Sequence, residues 1–155
     1  MNLIFRMLWV IGRAFFLPRM ERDGLASTLN LRVLPNDIDI NFHMNNGRYL
    51  TICDLNRVDV FARTGLLKAM FRRNWIPVIA EHTMTYKKPL NLFQPYQVSL
   101  EVLHWDEKYF YMAHRFLVGD RVMAEGTSKG CVYERGVGVV APERALAAVE
   151  ADRKA

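Results

Sequence analysis

The sequence predicts an α+β domain in which a curved antiparallel sheet wraps around one long buried helix. From Gly47 to about Leu67 the spacing is helical, and apolar residues cover most of the helix circumference, which is typical of a helix buried on most sides. From residue 78 to residue 133, four segments alternate between apolar and polar residues, as half-buried strands do. A sheet curved around the helix is the most economical arrangement of these elements.

Five strands are expected in all, because a further alternating segment precedes the helix. Short polar turns separate the later strands, including Gly119-Asp120, which favours a tight hairpin. We expect the four strands after the helix to form an antiparallel meander, and a short helix over 66–73 to precede it. A row of small residues in the last strand, including Gly126 and Gly130, would let the helix approach the sheet closely. The predicted strands are Thr28 to Leu34, Val78 to Lys88, Tyr96 to Asp106, Tyr109 to Val118 and Val122 to Tyr133.

Length and charge narrow the classes of function. A chain of 155 residues favours one domain with a sizeable core. The net charge of +5 suits an anionic ligand such as a phosphorylated nucleotide carrier, or an anionic membrane surface. No arginine-rich run or aromatic-basic motif supports a nucleic-acid partner. Cys53 and Cys131 lack a CxxC neighbour, so we expect two buried thiols in a reducing compartment, the cytoplasm.

The N-terminal part of the chain is apolar and stands apart from the predicted domain. We assign residues 1–24 to a helix and linker, 25–140 to the domain and 141–155 to a charged helical tail. Arg6 and Arg13 interrupt the apolar run over residues 2–17, and their spacing of seven puts them on one helix face.

Two interpretations of this run stay open. It could lie on a membrane surface with both arginines at the headgroups, or pack on the domain or in an oligomer contact. A spanning anchor ranks third, because about 25 Å of helix is shorter than a hydrocarbon core of about 30 Å. Arg13 and the lack of a small-x-small cleavage site disfavour a signal peptide.

The most informative stretch runs from Asp37 to Tyr49. Its density of Asp, Asn and Gly argues against a regular strand, and Pro35-Asn36 marks a break before it. Asn45 and Asn46 can cap the helix that follows. We therefore predict a tight polar loop entering a helix N-terminus. Its carboxylates, imidazole and amides would lie beside backbone N–H groups that can stabilise an anion.

The spacing in this loop is Asp-x-Asp-x-Asn-x-His-x-Asn-Asn-x-x-Tyr. It resembles the signature loop of the hotdog-fold acyl thioesterases, among them plant acyl-ACP thioesterases and the 4-hydroxybenzoyl-CoA thioesterase-like group. The resemblance extends over about residues 28 to 133. It implies a hotdog fold, an acyl-CoA or acyl-carrier-protein thioester as substrate, and a homodimer or homotetramer with the site at the protomer junction. It implies no metal and no other cofactor.

By this resemblance Asp39 is the catalytic aspartate, acting as a general base or as a nucleophile. Asn41 and His43 match the amide and imidazole that accompany it. The alternative is a loop whose Asp and Asn residues only form turns and caps. Asp37 is expected to hold the loop.

Further candidates would bind substrate. For Asn45 and Asn46 the favoured interpretation is helix capping, and for Tyr49 it is packing in the core. Exposed lysines are usually a solvated face, although here they could meet the phosphates of coenzyme A. The candidates are Asn45, Asn46, Tyr49, Glu81, Lys87 and Lys88.

The chain departs from the plant enzymes after Tyr86-Lys87-Lys88. Those enzymes continue with Glu-Cys, whereas here Pro89-Leu90 follows, so a mechanism that uses that acid or thiol does not carry over. Glu81 is a candidate replacement for the acid. The departure favours the one-carboxylate scheme of the hydroxybenzoyl-CoA thioesterase type.

We therefore predict an acyl-CoA or acyl-carrier thioesterase. A non-catalytic acyl- or lipid-binding protein is the main alternative, and a hotdog enoyl-CoA hydratase or dehydratase is another. His82, His104 and His114 show no metal-ligand spacing along the sequence. The motifs of serine hydrolases, P-loop enzymes and dinucleotide-binding enzymes are absent from the sequence.

Overall fold

The computed structural model describes residues 3–155 and contains four α-helices, one short 3-10 helix (Pro35–Asp37) and six strands in those residues. The helices are α1 (Leu3–Ala14), α2 (Asn46–Thr64), α3 (Leu66–Arg73) and α4 (Pro142–Lys154). The strands are β1 (Ala26–Arg32), β2 (Trp75–Tyr86), β3 (Pro95–Trp105), β4 (Phe110–Val118), β5 (Arg121–Glu134) and β6 (Gly138–Val140). The five predicted strands and the long helix are confirmed, whereas β6 had not been predicted.

The strands form one antiparallel sheet in the order β1-β3-β4-β5-β2, with β6 paired to β5. Only β3, β4 and β5 are a meander, so the predicted four-strand meander is wrong for β2. Strand β1 pairs along β3 and occupies the edge that β2 would need. Strand β2 therefore crosses to the far side of β5 and becomes an edge of the sheet.

Helix α2 is the centre of the fold and has clear start and stop signals. The Asn45 side chain accepts a hydrogen bond from the Gly47 backbone N–H at its start. At its end, Gly65 has a φ of 93°, a left-handed conformation that glycine adopts without strain. Ile52, Cys53 and Leu55 are fully buried, as predicted for a helix enclosed on most sides.

The main core lies between α2 and the concave face of the sheet. It contains residues from α1, α2 and strands β1, β3, β4 and β5. Helix α4 is not a free tail, because Ala145, Leu146 and Val149 are buried against the domain. The largest fully buried side chains of the main core include Tyr49, Phe116, Leu29, Ile52 and Leu55.

The small residues of β5 serve a second contact besides the one predicted. A Cβ atom on Gly126 would lie 1.9 Å from the Thr83 carbonyl oxygen of the neighbouring strand β2. A Cβ on Gly130 would lie 2.9 Å from Cδ1 of Ile79, also in β2. These glycines therefore permit close approach of strand to strand. The same face of β5 also lies against α2 as predicted, because Ser128 accepts a hydrogen bond from Arg57 and Gly130 lines a cavity together with Phe61.

Helix α1 packs on α2 with its two arginines directed inward. Arg6, Val10 and Ala14 are buried, and Arg13 lies 3.6 Å from the buried carboxylate of Asp59. Packing on the domain, one of the two interpretations left open for this run, therefore agrees with these contacts. The interpretation with both arginines at lipid headgroups is wrong, because acidic groups of the domain attract them. Asn2, the first residue of the predicted apolar run, lies outside the described residues. Among residues 3–155 no helix has the length and hydropathy needed to cross a bilayer.

Candidate active site

The loop between β1 and α2 is held rigidly by backbone hydrogen bonds. The Asp39 N–H donates to the His43 carbonyl at 2.9 Å, and the Phe42 N–H donates to the Asp39 carbonyl at 3.1 Å. The Met44 N–H donates to Leu90, and the Asn45 N–H donates to Asp37. Residues 39–43 thus form a compact projecting turn that leads directly into α2.

Asp37 is the anchor of this loop. Its carboxylate is completely buried, and Arg6 of α1 binds both its oxygens at 3.0 and 2.5 Å. Arg48 of α2 binds the same carboxylate at 2.8 and 3.0 Å, and the Leu34 N–H donates to it at 2.9 Å. Burial opposes ionisation of this group, but these donors outweigh burial and hold its pKa below the ordinary value.

Asp39 has a different environment two residues further on. Its side chain is only partly buried, and Oδ1 accepts a hydrogen bond from the Asn41 N–H at 2.8 Å. This is a local Asx turn, so part of the alternative interpretation of the loop is present. The turn fixes the orientation of the carboxylate without a cation against it, and no salt bridge to Asp39 occurs among the described residues.

Asn41 and His43 lie in the same turn as Asp39. Asn41 is exposed, and His43 is half-buried with its backbone bridged to Asn91. Between them Phe42 has a φ of 61°, a left-handed conformation that is uncommon for a bulky residue. The three predicted catalytic residues therefore share one short turn, and their roles stay a prediction.

The residues at the start of α2 have structural contacts. Asn45 is the helix cap, and the Asn46 carbonyl accepts a hydrogen bond from the Tyr86 hydroxyl at 2.9 Å. Tyr49 is buried and packs edge-on against Tyr86 and Phe116, with ring centroids 5.0 and 4.8 Å apart. Capping and packing, the interpretations favoured for Asn45 and Tyr49, agree with these contacts.

The remaining predicted substrate-binding residues lie on or just after β2. Glu81 pairs with Lys129 at 3.4 Å, and Lys87 pairs with Glu125 at 2.7 Å. Lys88 is exposed, and its backbone N–H donates to Met123. Glu81 and Lys87 are thus held in surface ion pairs. Lys88 follows the C-terminal end of β2, where the Tyr86 hydroxyl bonds to the Asn46 carbonyl.

Sequence reasoning missed a polar cluster centred on Arg57 of α2. Its guanidinium is buried, pairs with Asp54 and lies 3.3 Å from Nδ1 of His82 and 3.5 Å from Nε2 of His114. It also donates to Ser128 at 3.1 Å. Burial, with Arg57 nearby, lowers the pKa of both imidazoles, that of His114 to about 3. The signal available in the sequence was the group of polar residues Asp54, Asn56, Arg57 and Asp59 inside a helix predicted to be buried on most sides.

Cys53 completes a group that could in principle hold a metal ion. One ligand atom from each of Cys53, His82 and His114 lies within 4.8 Å of the others, although the sequence spacing gave no sign of this. Thiol and imidazole are ligands that zinc accepts. Burial raises the pKa of the Cys53 thiol to about 12, and the Arg57 cation beside both imidazoles opposes a second cation. The absence of a metal stays a prediction.

An open groove runs along the middle of α2, α3 and the first half of β2. It has a volume of about 670 Å³ and is lined mainly by apolar residues, together with the polar residues Asp54, Arg57, Asn74 and Arg135. It adjoins a small apolar cavity of about 60 Å³ between α2, the sheet and α4. Arg57, Phe61 and Pro77 line both. A hydrocarbon group could lie in the groove with its end in the cavity.

Unpaired apolar surface surrounds the site. Ile40 and Phe42, on either side of Asn41, are 92% and 71% exposed. Val78 and Ile79 are exposed on β2, whose outer edge pairs with no strand among the described residues. A long free strand edge with exposed apolar residues is a template for pairing with another chain.

Comparison with known proteins defines the class. A family model described as the thioesterase-like superfamily matches residues 33–149, and the chain belongs to this superfamily. Its sheet curved around α2 is the hotdog fold. The E. coli probable thioesterase YbaW has a TM-score of 0.71 at 17% identity, over 79% of this chain and 95% of that one. The gentisyl-coenzyme A thioesterase BH1999 has a TM-score of 0.70 at 19% identity, over 78% and 99%.

Within this class the chain is similar to the proteins called THEM6. It is 41% identical to that of Xenopus laevis over 85 residues, which are 55% of this chain and 41% of the relative. It is 37% identical to that of Danio rerio over 113 residues, which are 72% of this chain and 55% of the relative. The chain thus spans about half the length of the curated relatives it matches.

Proposed function

We propose that the protein hydrolyses acyl-CoA or acyl-carrier thioesters with Asp39 as the catalytic carboxylate. The observation that supports this most is the environment of Asp39. Its carboxylate is held on a rigid projecting turn, partly open to solvent and beside the first turn of α2. A carboxylate so placed remains free to take a proton or to attack a carbonyl carbon.

Two routes fit a single carboxylate. As a base, Asp39 takes a proton from a water whose oxygen attacks the thioester carbonyl carbon, and the thiolate then leaves and is protonated. As a nucleophile, Asp39 forms an acyl anhydride and releases the thiolate, and water then hydrolyses the anhydride. In both, charge develops on the carbonyl oxygen, and backbone N–H groups near the start of α2, or at the entry to β2 over residues 77–80, would stabilise it. Asn41 and His43 would orient the carbonyl.

We further propose that two copies complete the site by pairing along β2. Tyr86 places the C-terminal end of β2 at the start of α2, whereas Trp75 to Ile79 at its other end line the groove. Within one protomer Arg57 lies roughly 16 Å along α2 from Asn46. Antiparallel pairing about a two-fold axis would bring the groove of one copy beside the Asp39 turn of the other. It would also cover the exposed edge, and a tetramer would be built from such dimers.

The groove suits the acyl group, and exposed lysines suit the carrier. Lys88, and Lys87 after release from Glu125, could meet the phosphates of coenzyme A. BH1999, which shares the fold, acts on gentisyl-coenzyme A, so the proposal favours a CoA ester. The free and buried state of Cys53 and Cys131 suits a cytoplasmic location. No metal, further cofactor or nucleic acid is part of this proposal.

Thiol release from a panel of acyl-CoA esters tests the activity. We expect the wild type to hydrolyse at least one ester and Asp39→Asn to be at least ~100-fold slower, the low end for loss of a general base. Asp120→Asn, in the exposed hairpin turn between β4 and β5, is the matched control and should keep full activity. Turnover of Asp39→Asn within a few-fold of wild type would remove the assignment. Hydration of an enoyl-CoA without thiol release would favour a hydratase, and tight binding without turnover would favour a binding protein.

A complementation experiment tests the shared site. Asp39→Asn disables the turn, and Phe61→Arg places a charge in the apolar groove, so each variant alone should be nearly inactive. A mixed dimer contains one intact turn facing one intact groove, so random mixing should restore about a quarter of the wild-type activity. No recovery in mixtures shown to contain mixed dimers would mean that each protomer holds a whole site.

A further inference from the structure

Helix α1 exposes four of its large apolar residues and directs both of its arginines toward the domain, the reverse of an ordinary surface helix. Ile4, Phe5, Leu8 and Trp9 lie on one arc and are 47–62% exposed. Phe15 and Phe16, directly after the helix, extend this surface and are 84% and 90% exposed. We call these six residues the outer face of α1.

The inner face explains why α1 is held in this orientation. Arg6 is only 2% exposed and forms the bidentate pair with Asp37. Arg13 faces Asp59, and Val10 is buried in the main core. Rotation of the helix to bury the outer face would remove Arg6 from the fully buried Asp37, which is costly for both charges. The apolar outer face is therefore fixed toward the outside.

The surroundings of the outer face are cationic. No acidic residue occurs in the sequence before Glu21. Arg19 and Lys68 are exposed and line one surface depression together with Phe15, and the acidic residue that also lines it, Asp152, is paired with Arg73. Trp9 lies 5.5 Å from the Arg13 guanidinium in a cation–π contact, an arrangement with one apolar and one polar side. This combination of aromatic, aliphatic and basic groups matches the boundary between acyl chains and anionic headgroups.

We propose that the outer face of α1 docks on an anionic lipid surface, with the helix lying parallel to the membrane. The aromatic and aliphatic side chains enter the acyl boundary, while Arg19 and Lys68 contact the headgroups. The 12-residue helix is too short to span, so attachment is peripheral. A second copy is the less suitable occupant, because the free edge of β2 already offers a continuous pairing surface elsewhere. The proposal does not depend on the thioesterase activity.

Co-sedimentation of the full chain with vesicles tests the proposal. Phosphatidylcholine vesicles are compared with vesicles that also contain phosphatidylglycerol, at low and at high salt. We expect wild-type protein to bind the anionic vesicles, more weakly at high salt, and to be released by alkaline extraction. Leu8→Glu should lower the partition coefficient at least ~tenfold because it puts a charge into the acyl boundary. Lys68→Glu should lower it several-fold on anionic vesicles only.

Val137→Glu is the matched control, because Val137 is 75% exposed but lies in the turn between β5 and β6. It should bind vesicles as the wild type does, and all variants should keep the wild-type melting temperature. Wild-type protein that stays in the supernatant with both vesicle types would overturn the proposal. So would Leu8→Glu binding like the wild type, or a smaller assembly of Leu8→Glu in sedimentation velocity, which would mean that a second copy covers the face. Retention after alkaline extraction would mean an integral segment.

Discussion

Asp37 and Asp39 are two carboxylates in one loop, separated by a single residue, and their environments are opposite. Asp37 is fully buried and accepts hydrogen bonds from two guanidinium groups and a backbone N–H. Asp39 is partly exposed and accepts a local hydrogen bond from the Asn41 N–H. A carboxylate whose lone pairs are used by cations is a poor base, whereas one with free lone pairs can accept a proton.

The difference between the two carboxylates shows how one of them can hold the loop rigid while the other stays free of strong contacts. The buried carboxylate ties the loop to α1 and α2, so that its neighbour can be oriented without strong bonds of its own. The contacts that order the loop are therefore made by Asp37, and the carboxylate of Asp39 keeps lone pairs that can accept a proton. Variants of Asp37, of Asp39 and of the arginine that binds Asp37 from α1 test this comparison directly.

The largest expected effect on stability is that of Asp37→Asn. Removal of the charge leaves Arg6 and Arg48 without their shared partner, and breaking a buried pair in this way costs roughly 3–5 kcal/mol. Asp39→Asn should change the free energy of unfolding by less than about 0.5 kcal/mol, as surface substitutions do. Urea denaturation of both variants measures the difference. Equal losses in the two variants would show that the loop does not depend on Asp37.

An intermediate effect is expected when α1 loses its contact with the loop. Arg6→Met removes one charged donor but leaves Arg48 and the Leu34 N–H on Asp37, so a loss of roughly 2 kcal/mol is expected. Thioester turnover should fall as well, because the loop is less well held. Arg121→Met, an exposed arginine at the start of β5, is the control. A chain beginning at Arg22 should likewise be destabilised, and wild-type stability of that chain would contradict a structural role for α1.

The smallest expected effect is the dependence of stability on pH. It distinguishes the buried imidazole of His114 from the buried carboxylate of Asp37. Because the pKa of His114 is lowered to about 3, the unfolded chain takes up a proton below about pH 6.5 that the folded chain does not. Stability should therefore fall as the pH is lowered, by up to about 1.5 kcal/mol between pH 6.5 and about pH 5. The pKa of Asp37 lies below its ordinary value of 3.8, so its ion pairs persist over this range.

Thermal unfolding at a series of pH values measures this dependence. His114→Asn should flatten the slope of the melting temperature against pH, whatever its effect on the absolute value. His104→Asn, in which an exposed imidazole is replaced, should give the wild-type slope. A wild-type slope in His114→Asn would assign the dependence to other groups.

The elements of this fold were predictable because each depends on local spacing. The helical pattern after Asn46 and the hairpin at Gly119-Asp120 are properties of short segments. The polar loop was predictable as a candidate site for the same reason, since its pattern lies within 13 residues. The assignment of Asp37 to holding the loop agrees with its contacts.

What could not be predicted depends on residues distant in sequence. Arg6 reaches Asp37 across 31 positions, and nothing in the apolar run showed that its arginines face inward. The Arg57 cluster joins α2 to strands β2, β4 and β5, so no single segment contains its pattern. Strand β2 lies beside β5 because β1 pairs with the free edge of β3. The alternation of apolar and polar residues does not show which strand takes that edge.

The free edge of β2 has a consequence for how the protein behaves on dilution. This strand has 12 residues and exposes Val78 and Ile79, and its outer edge, which pairs with no strand among residues 3–155, leaves backbone donors and acceptors facing water. Pairing of two copies along it would make folding subject to mass action, so that the melting temperature rises with protein concentration. Such a chain would lose its organised site before it loses its fold, because the partner's contribution disappears first.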